Sequence, residues 1–268
     1  MTRFVHLTDL HISHPEAEDP TLNADTPAML RHVVEVVNGM RHQPDFVVAS
    51  GDLTNMGDAR SYGLLKEILA PLRAPLVMAL GNHDKRAGYH EVFGTAGSEA
   101  PYFHDGLQAD LHVITLDTGV PGRVAGAIEG AQFDFLAEAL TRHPDKRKLL
   151  IMHHPPRIDP DGLPWGSIDM DSTERLAATL DGYDVVGILS GHIHINRVAH
   201  WHGIPVVITI GLNSTVDMLE ADDLRIVEGT GFGICDLRDS GLSVSFVPLS
   251  PEAREIKTID QARLRAFA

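Results

Sequence analysis

Side chains that commonly bind metals follow five short apolar runs of the sequence, each at the point where the run ends. They are Asp9 and His11, then Asp52, then Asn82, His83 and Asp84, then His153 and His154, and finally His192 and His194. Because the carboxyl ends of strands in an open α/β sheet meet at one crevice, we expect these side chains to converge. Burying carboxylates and imidazoles together without a cation would be costly. The pattern therefore predicts a site for a pair of divalent metal ions.

The donor types narrow the choice of metal. A mixture of imidazole, carboxylate and carboxamide ligands suits Mn, Fe, Zn or Co better than Ca, which prefers a shell made of oxygen. No cysteine stands in these clusters, which argues against a structural zinc site.

The spacing within the clusters predicts how the backbone presents them. Asp9 and His11 are separated by one residue, so on an extended segment both face the same side, and the same holds for His192 and His194. Glycines at positions 51, 81 and 191 directly precede three of the clusters. We expect these glycines to let the backbone turn sharply beside the metals.

Apolar runs that alternate with amphipathic stretches indicate strands joined by crossover helices. We expect strands over residues 4–7, 46–49, 76–80, 111–116, 149–152 and 185–189, and helices over 29–40, 62–72, 131–140 and 172–180. Ser172 and Thr173 are candidate caps of the last helix. Four more strands, over 196–201, 206–210, 231–237 and 242–247, predict a run of antiparallel strands. Residues 15–26 and 154–171 read as long loops, which are often functional in a compact domain.

The composition sets limits on partners and location. The chain has 268 residues, with 37 acidic against 22 basic side chains and a formal net charge of -15. Such a surface repels nucleic acid and anionic lipid on average, which favours a small-molecule substrate. The single cysteine, Cys235, excludes an intramolecular disulfide. With no signal sequence or membrane-length apolar run, we expect a cytoplasmic protein. It would have one catalytic domain over 1–247 and a C-terminal extension over 248–268.

The ordered motifs resemble those of the calcineurin-like metallophosphoesterase superfamily. The matching residues are Asp9-Leu10-His11, Gly51-Asp52, Gly81-Asn82-His83-Asp84, His153 and Gly191-His192-Ile193-His194. Within the superfamily the chain is most similar to the bacterial class III cyclic nucleotide phosphodiesterases and glycerophosphodiesterases. The segments that carry this resemblance are Gly51-Asp52-Leu53-Thr54-Asn55 and Met152-His153-His154-Pro155-Pro156.

This resemblance implies a fold and a ligand set. The fold would be a four-layer α/β/β/α sandwich of two mixed β-sheets flanked by helices. The first metal would be held by Asp9, His11, Asp52 and His194, and the second by Asp52, Asn82, His153 and His192. Asp52 would therefore bridge the two ions.

The resemblance also implies a reaction, the hydrolysis of small phosphodiesters such as cAMP or glycerophosphodiesters. Two metals lower the pKa of a bound water, and the resulting hydroxide attacks phosphorus in line with the leaving alkoxide. His83 would contact the substrate and stabilise charge on the phosphoryl oxygens, and Asp84 would orient the His83 ring. Asn55 is a further candidate for substrate contact. His154 is interpreted as a loop residue rather than a member of the site.

Other activities stay open at this stage. A phosphomonoesterase or nucleotide pyrophosphatase of the same superfamily could use Arg86 and Arg123 to hold a phosphate dianion. A nuclease is disfavoured by the acidic composition, and a non-catalytic metal-binding module is disfavoured by the intact ligand set. Residues 211–217 contain no histidine, although some glycerophosphodiesterases present one there to the substrate. Residues 216–227 and the C-terminal tail could form the interface of a homo-oligomer, a dimer or larger.

Overall fold

The computed structural model describes residues 1–17, 19–94, 99–220, 222–249 and 255–266. The strands are β1 (Thr2–Leu7), β2 (Phe46–Ala49), β3 (Leu76–Met78), β4 (His104–Gln108), β5 (Leu111–Thr115), β6 (Arg147–Ile151), β7 (Val185–Ser190), β8 (Arg197–Trp201), β9 (Ile204–Ile208), β10 (Thr215–Val216), β11 (Leu224–Val227), β12 (Gly231–Arg238), β13 (Gly241–Pro248) and β14 (Glu255–Ile259). The helices are α1 (Thr26–Gly39), α2 (Ala59–Leu69), α3 (Arg86–Phe93), α4 (Gly130–Arg142), α5 (Met170–Leu180) and α6 (Gln261–Arg265), and short 3₁₀ turns cover Pro15–Ala17 and Pro164–Gly166.

Two mixed sheets form the framework. The first has the order β13-β12-β1-β2-β3, in which β1, β2 and β3 run parallel. The second has the order β4-β5-β6-β7-β9-β8, in which β5, β6, β7 and β9 run parallel. Parallel neighbours need long crossovers, and the helices supply them. The strands that precede the five polar clusters therefore end at the same edge of their sheets.

Helices cover the outer face of each sheet, and the two inner faces pack on each other. Between the sheets, the ring of Phe4 stacks on that of Phe46 at 4.9 Å, and Leu149 and Val207 of the second sheet are buried in the same core. Helices α1 and α2 pack on the first sheet, and α4 and α5 on the second. The predicted four-layer sandwich of two mixed sheets is confirmed.

The helix α1 illustrates how local sequence selects an element. Asp25 caps it by accepting a hydrogen bond from the backbone N–H of Ala28 at 3.0 Å, and a proline lies in the first turn. Leu30, Val33 and Val37 then fall on one face and are buried against the first sheet. The cap and the apolar stripe together set where the helix begins and which face it buries.

A small third sheet, with the order β10-β11-β14, joins the C-terminal part of the chain to residues 215–227. Arg225 on β11 forms an ion pair with Glu255 on β14 at 2.6 Å. The final helix, α6, buries Leu264. Residues 255–266 thus pack against the rest of the part of the chain that the structure describes.

Several local predictions were wrong. Asp169, not Ser172 or Thr173, caps α5, and its side chain accepts from the Ser172 N–H at 2.8 Å. The late strands are not all antiparallel, because β9 pairs in parallel with β7. Helix α3, strand β4 and the three strands of the small sheet were not predicted. Among the described residues, no helix has the length and apolar character needed to cross a bilayer.

Candidate metal centre

The five polar clusters converge at the carboxyl ends of β1, β2, β3, β6 and β7. Groups of three side chains offer ligand atoms that lie within 4.8 Å of one another. These groups are Asp9 with His11 and His194, Asp9 with Asp52 and His153, His11 with Asp52 and His83, and His153 with His154 and His192. Residues from both sheets therefore meet at one place.

Backbone hydrogen bonds hold the ligand loops side by side beyond the ends of the strands. The N–H groups of Asp9 and His11 donate to the carbonyls of Gly51 and Asp52 at 3.0 and 2.9 Å. In the second sheet, the Gly191 N–H donates to the His153 carbonyl at 2.9 Å. Backbone hydrogen bonds between neighbouring segments thus continue beyond the strand ends and fix the positions of the ligands.

The ligand positions have an unusual backbone conformation. Seven non-glycine residues of the described part of the chain have positive φ, and five of them belong to the predicted ligand set. They are Asp9 (49°), His11 (45°), Asp52 (48°), His192 (74°) and His194 (50°). The prediction of extended segments at 9–11 and 192–194 was therefore wrong. Such left-handed residues carry a conformational cost and concentrate at functional sites.

Two of the glycines act through close packing rather than through a left-handed turn. A Cβ at Gly191 would collide with the side chains of Thr8 and Asp9, and one at Gly81 with the Asp52 carboxylate and with the His153 ring from the second sheet. Of the three glycines that precede the clusters, only Gly51 has a positive φ, at 112°. Glycine at 81 and 191 is therefore required because the two sheets bring their ligand loops into direct contact.

The side chains expected at the first metal lie close together. His194 Nε2 is 3.2 Å from Asp9 Oδ1 and 3.2 Å from His11 Nε2. His11 Nε2 is also 3.8 Å from Asp52 Oδ2. The four side chains of this predicted set are thus brought together.

The second predicted set gathers beside the first. His153 Nε2 is 3.2 Å from Asp52 Oδ2, and His192 Nδ1 is 2.9 Å from Asn82 Oδ1. Asp52 therefore lies between the two sets. Asp9 also joins the sheets, because its carboxylate accepts from the His192 backbone N–H at 3.0 Å.

In each of the four candidate histidine ligands, the ring nitrogen that points away from the site lies within hydrogen-bond distance of an oxygen acceptor. For three of them Nδ1 is so engaged: His11 with Asn55 Oδ1 at 2.8 Å, His153 with the Ser50 carbonyl at 3.0 Å and His194 with the Ser214 carbonyl at 3.0 Å. His192 instead directs Nε2 to the Trp165 carbonyl at 2.6 Å. A nitrogen facing a carbonyl must carry the proton, so when the ring is neutral the opposite nitrogen presents a lone pair to the site.

This arrangement fits a cation. His11 Nε2 and His194 Nε2 lie 3.2 Å apart, and both face Asp9 Oδ1, at 3.9 and 3.2 Å, so one cation could contact all three groups. The Nε2 of His153 is buried and has no hydrogen-bond partner among the described residues. Together with the carboxylates of Asp9 and Asp52, these nitrogens form the nitrogen–oxygen donor set that divalent transition metals prefer.

The pKa values of Asp9, Asp52, His11 and His192 have the direction that metal binding requires, whereas those of His153 and His194 are raised. Burial opposes ionisation of Asp9 and Asp52, yet the facing histidines hold the pKa of both carboxyls below the usual range. Burial lowers the pKa of His11 to about 3 and that of His192 to about 4. Burial also lowers the pKa of His153, but the interactions with Asp52, Asp9 and Asp84 together outweigh it and raise the pKa to about 9. A metal would therefore displace a proton from His153.

His83 is exposed at the mouth of the site, and the predicted role of its neighbour was wrong. Its Nδ1 donates to the Asn55 carbonyl at 3.0 Å, not to Asp84. Asp84 instead accepts from the N–H groups of Leu53 and Gly81 and from the Tyr62 hydroxyl. Burial and the nearby charge of Asp52 raise the pKa of Asp84 to about 6. Asp84 thus fixes the two ligand loops rather than the His83 ring.

The Asn55 carboxamide is fully engaged within the protein. Its Nδ2 donates to Asp19 Oδ2 at 2.5 Å and to Thr21 Oγ1 at 2.8 Å, while Oδ1 faces His11. These contacts hold His11 in place and leave no free amide group for the predicted substrate contact. Asp19 and Thr21 lie in the predicted 15–26 loop, where no motif marked them.

His154 is a buried member of the site, so its interpretation as a loop residue was wrong. Its Nε2 donates to the Val124 carbonyl at 2.9 Å, and its Nδ1 accepts from the Thr118 hydroxyl at 2.8 Å. Its ring lies 4.3 Å from that of His192, centroid to centroid. Burial and the neighbouring histidines hold its pKa well below the usual value. Side-chain packing that no local pattern records places it there.

Arg86, one of the two arginines considered for binding a phosphate dianion, makes its hydrogen bonds to other groups of the protein. Arg86 Nε donates to Asp117 at 2.9 Å, and its Nη2 donates to the Gly119 carbonyl at 3.0 Å. Arg123 is exposed on the surface. The geometry therefore gives no support to an Arg86 clamp on a phosphate dianion.

A cavity of about 150 Å³ opens on this centre. Its walls include Asp52, Asn82, His83, His192 and His194. Trp165, from the 3₁₀ turn that binds His192, closes one side of it. A small anion held at the metals would thus also meet His83.

Comparisons with known proteins agree with this geometry. A family model described as calcineurin-like phosphoesterase matches residues 2–196. The chain is 32% identical over 268 residues to a protein named probable cyclic nucleotide phosphodiesterase from Rhodococcus erythropolis, covering 96% of this chain and 86% of the relative. It is 33% identical over 225 residues to a cAMP/cGMP dual specificity phosphodiesterase from Mycobacterium tuberculosis, covering 81% and 69%.

The fold is similar to solved structures as well. A dimetal phosphatase from Danio rerio superposes with a TM-score of 0.69 over 97% of this chain and 98% of that chain, at 14% sequence identity. At that identity the likeness concerns the fold alone, and it agrees with the four layers described above.

Proposed function

Since this chain belongs to the calcineurin-like phosphoesterase family, we propose that it is a binuclear metal-dependent phosphodiesterase acting on small phosphodiesters, 3′,5′-cyclic nucleotides above all. The observation that carries the proposal is the convergence of two carboxylates, one carboxamide and four histidines, each histidine held in the tautomer that a metal needs. The names of the two bacterial relatives support the cyclic nucleotide class.

Each predicted ligand receives a role in this proposal. Asp9, His11, Asp52 and His194 would hold one ion, and Asp52, Asn82, His153 and His192 the other. When bound, a pair of divalent ions supplies Lewis acidity that lowers the pKa of water and balances charge on the phosphoryl oxygens. Mn, Fe, Zn and Co all suit the donor set.

His83 would act on the substrate rather than on the metals. Its Nδ1 is engaged by the Asn55 carbonyl, so Nε2 is the nitrogen available at the cavity. A protonated Nε2 can donate to a phosphoryl oxygen or to the departing alkoxide oxygen. The Asn55 backbone thus aims His83, while the Asn55 side chain holds His11.

The domain limits follow the same proposal. Residues 1–247 would form the catalytic domain, because they supply both large sheets and every predicted ligand. Residues 248–268 would be an extension whose strand β14 completes the small third sheet.

The test compares substrates on protein stripped with a chelator and reloaded with Mn²⁺. We expect hydrolysis of bis-(p-nitrophenyl) phosphate and cAMP to return, and p-nitrophenyl phosphate to be cleaved more slowly. Asp52→Ala and Asn82→Ala should each lose at least about 10³-fold in diester activity, because metal ions contribute several kcal/mol to such transition states. Asp134→Ala, which removes an exposed carboxylate on α4, is the matched control.

The outcomes separate the parts of the proposal. Faster cleavage of the monoester would overturn the diester preference and leave the family assignment standing. A reloaded wild-type protein that cleaves none of the three substrates would overturn the proposed activity.

A further inference from the structure

A second and larger cavity adjoins the metal-site cavity. It has a volume of about 500 Å³, which lies in the range of small-molecule sites. Trp165, Ile193, Val216 and Leu224 line both cavities. A substrate held at the metals therefore has this larger space, which we call the side cavity, directly beside it.

The walls of the side cavity are mostly apolar. Val206 and Ile208 on β9 and Ile195 in the loop before β8 line it, and Leu163 and Trp165 line it from the 154–171 loop. Such walls bind an organic group by burying its surface and offer little to a hydroxyl-rich one. The phosphate of a substrate would stay at the metal centre, where the polar donors are.

The rim of the side cavity is acidic. Five carboxylates line it, those of Asp159, Asp217, Glu220, Asp222 and Asp223, against two guanidinium groups, those of Arg157 and Arg197. Asp217 is paired with Arg225 at 2.6 Å, so four carboxylates remain against the two guanidinium groups, and Arg157 Nη2 donates to the carbonyls of residues 160 and 162 at 2.9 and 2.8 Å. This field repels a second anionic group. The occupant of the side cavity is therefore mainly apolar and carries no second negative charge.

We propose that the side cavity binds the nucleobase of a cyclic nucleotide, beside the indole of Trp165, and that this contact selects cyclic nucleotides over phosphodiesters that lack a base. This inference rests on the proposed function. An uncharged aromatic base matches the volume, the apolar walls and the aromatic side chain. A glycerol group is small and hydroxyl-rich and would leave most of the space unfilled.

The inference is tested by filling the cavity and comparing substrates with and without a base. Ala199 lies on β8 and lines the side cavity, so Ala199→Trp would occupy it. His200 is exposed and points to the opposite face of the same strand, so His200→Trp is the matched control. The substrates are cAMP and methyl ribofuranoside 3′,5′-cyclic phosphate, which keeps the cyclic phosphodiester and lacks the base.

The quantity to measure is the ratio of kcat/KM for cAMP to kcat/KM for the abasic compound, in Mn²⁺-loaded protein. We expect a large ratio in the wild type, a fall of at least about tenfold in Ala199→Trp, as when a pocket no longer admits its group, and a change under about twofold in His200→Trp. Ala199→Leu should shift the ratio in the same direction and serves if the tryptophan variant fails to fold.

Two results would overturn the inference: a wild-type ratio near one, or an unchanged ratio in both Ala199 variants. Failure of the wild type to cleave either cyclic phosphate is a different result, because it contradicts the proposed function itself.

Discussion

Asn55 links an acidic residue of the 15–26 loop to a candidate metal ligand. Because Asp19 can only accept, it must face the amide nitrogen of Asn55, and the amide oxygen is then turned to His11 Nδ1. The orientation of one side chain thus sets the tautomer of the next, and His11 Nε2 is left with its lone pair toward the site.

Removal of this link should weaken metal binding. We expect Asn55→Ala to lower the affinity for Mn²⁺ by about 10–100-fold, the usual effect of losing a hydrogen bond behind a ligand. Titration of chelator-stripped protein by calorimetry measures this. Asn38→Ala is the control, because Asn38 also makes side-chain hydrogen bonds but lies at the far end of α1. Equal affinity in Asn55→Ala and wild type would refute the role.

His83 should affect turnover and leave metal binding intact. We expect His83→Ala to reduce kcat for bis-(p-nitrophenyl) phosphate by about 10²–10⁴-fold, the range for a lost proton donor. Metal content per chain should stay at the wild-type value. His83 offers a ligand atom near His11 and Asp52, so a variant that loses metal together with activity would show that His83 is a ligand instead.

The site residues that could be predicted from the sequence lie in local patterns, whereas those that could not be predicted act through contacts between distant segments. Asp52 and His192 follow apolar strands, and that pattern is local. Asp19 and Trp165 act across long sequence distances, Trp165 through its backbone carbonyl, and no spacing rule marks such contacts. The same reason explains the error at Asp84, whose carboxylate turns back to the loop of residues 53–54.

At the scale of elements, the strands before the ligand clusters were predictable and the loops were not. Buried strands such as β2 and β7 are short apolar runs, so their ends can be read from hydrophobicity. The left-handed conformation of the ligands depends on contacts between two sheets, which a single segment does not contain. The helix α3 was missed because it buries only Gly88, Tyr89 and His90, so it lacks a clear apolar stripe.

Two glycine substitutions should change stability in opposite directions, because Gly191 lies in the contact between the ligand loops and Gly63 does not. Gly191→Ala would force a methyl group into Thr8 and Asp9, so we expect loss of Mn²⁺ binding and a lower Tm. Gly63→Ala lies on the exposed face of α2 with nothing within 4 Å, so it should raise stability by about 0.4–1 kcal/mol. Thermal unfolding and metal titration of both variants check this. A Gly191→Ala protein with wild-type metal affinity would contradict the close-contact argument.

At the scale of the whole molecule, the predicted ligands divide between the two sheets. Asp9, His11, Asp52 and Asn82 follow strands of the first sheet, and His153, His192 and His194 follow strands of the second. The family and the four layers could be predicted from ordered motifs. The third sheet and the side cavity could not, because both arise where the chain after β9 returns to the 154–171 loop.

Because the ligands divide in this way, bound metal ions would join the two sheets. Metal binding should therefore raise the Tm. Without metal, the buried carboxylates of Asp9 and Asp52 repel each other at the sheet junction. Mn²⁺ at about 100-fold above its Kd should stabilise the folded state by about 2.7 kcal/mol. For a chain of this size that corresponds to a rise in Tm of about 5–10 °C over chelator-treated protein.

Asp52→Ala, which removes the proposed bridging ligand, should show a smaller rise in Tm, whereas Asp134→Ala should match the wild type. Scanning calorimetry with and without chelator measures all three. Metal that restores activity and leaves the Tm unchanged would mean that the unfolded chain binds Mn²⁺ as tightly as the folded protein, which contradicts a site formed only when the two sheets meet.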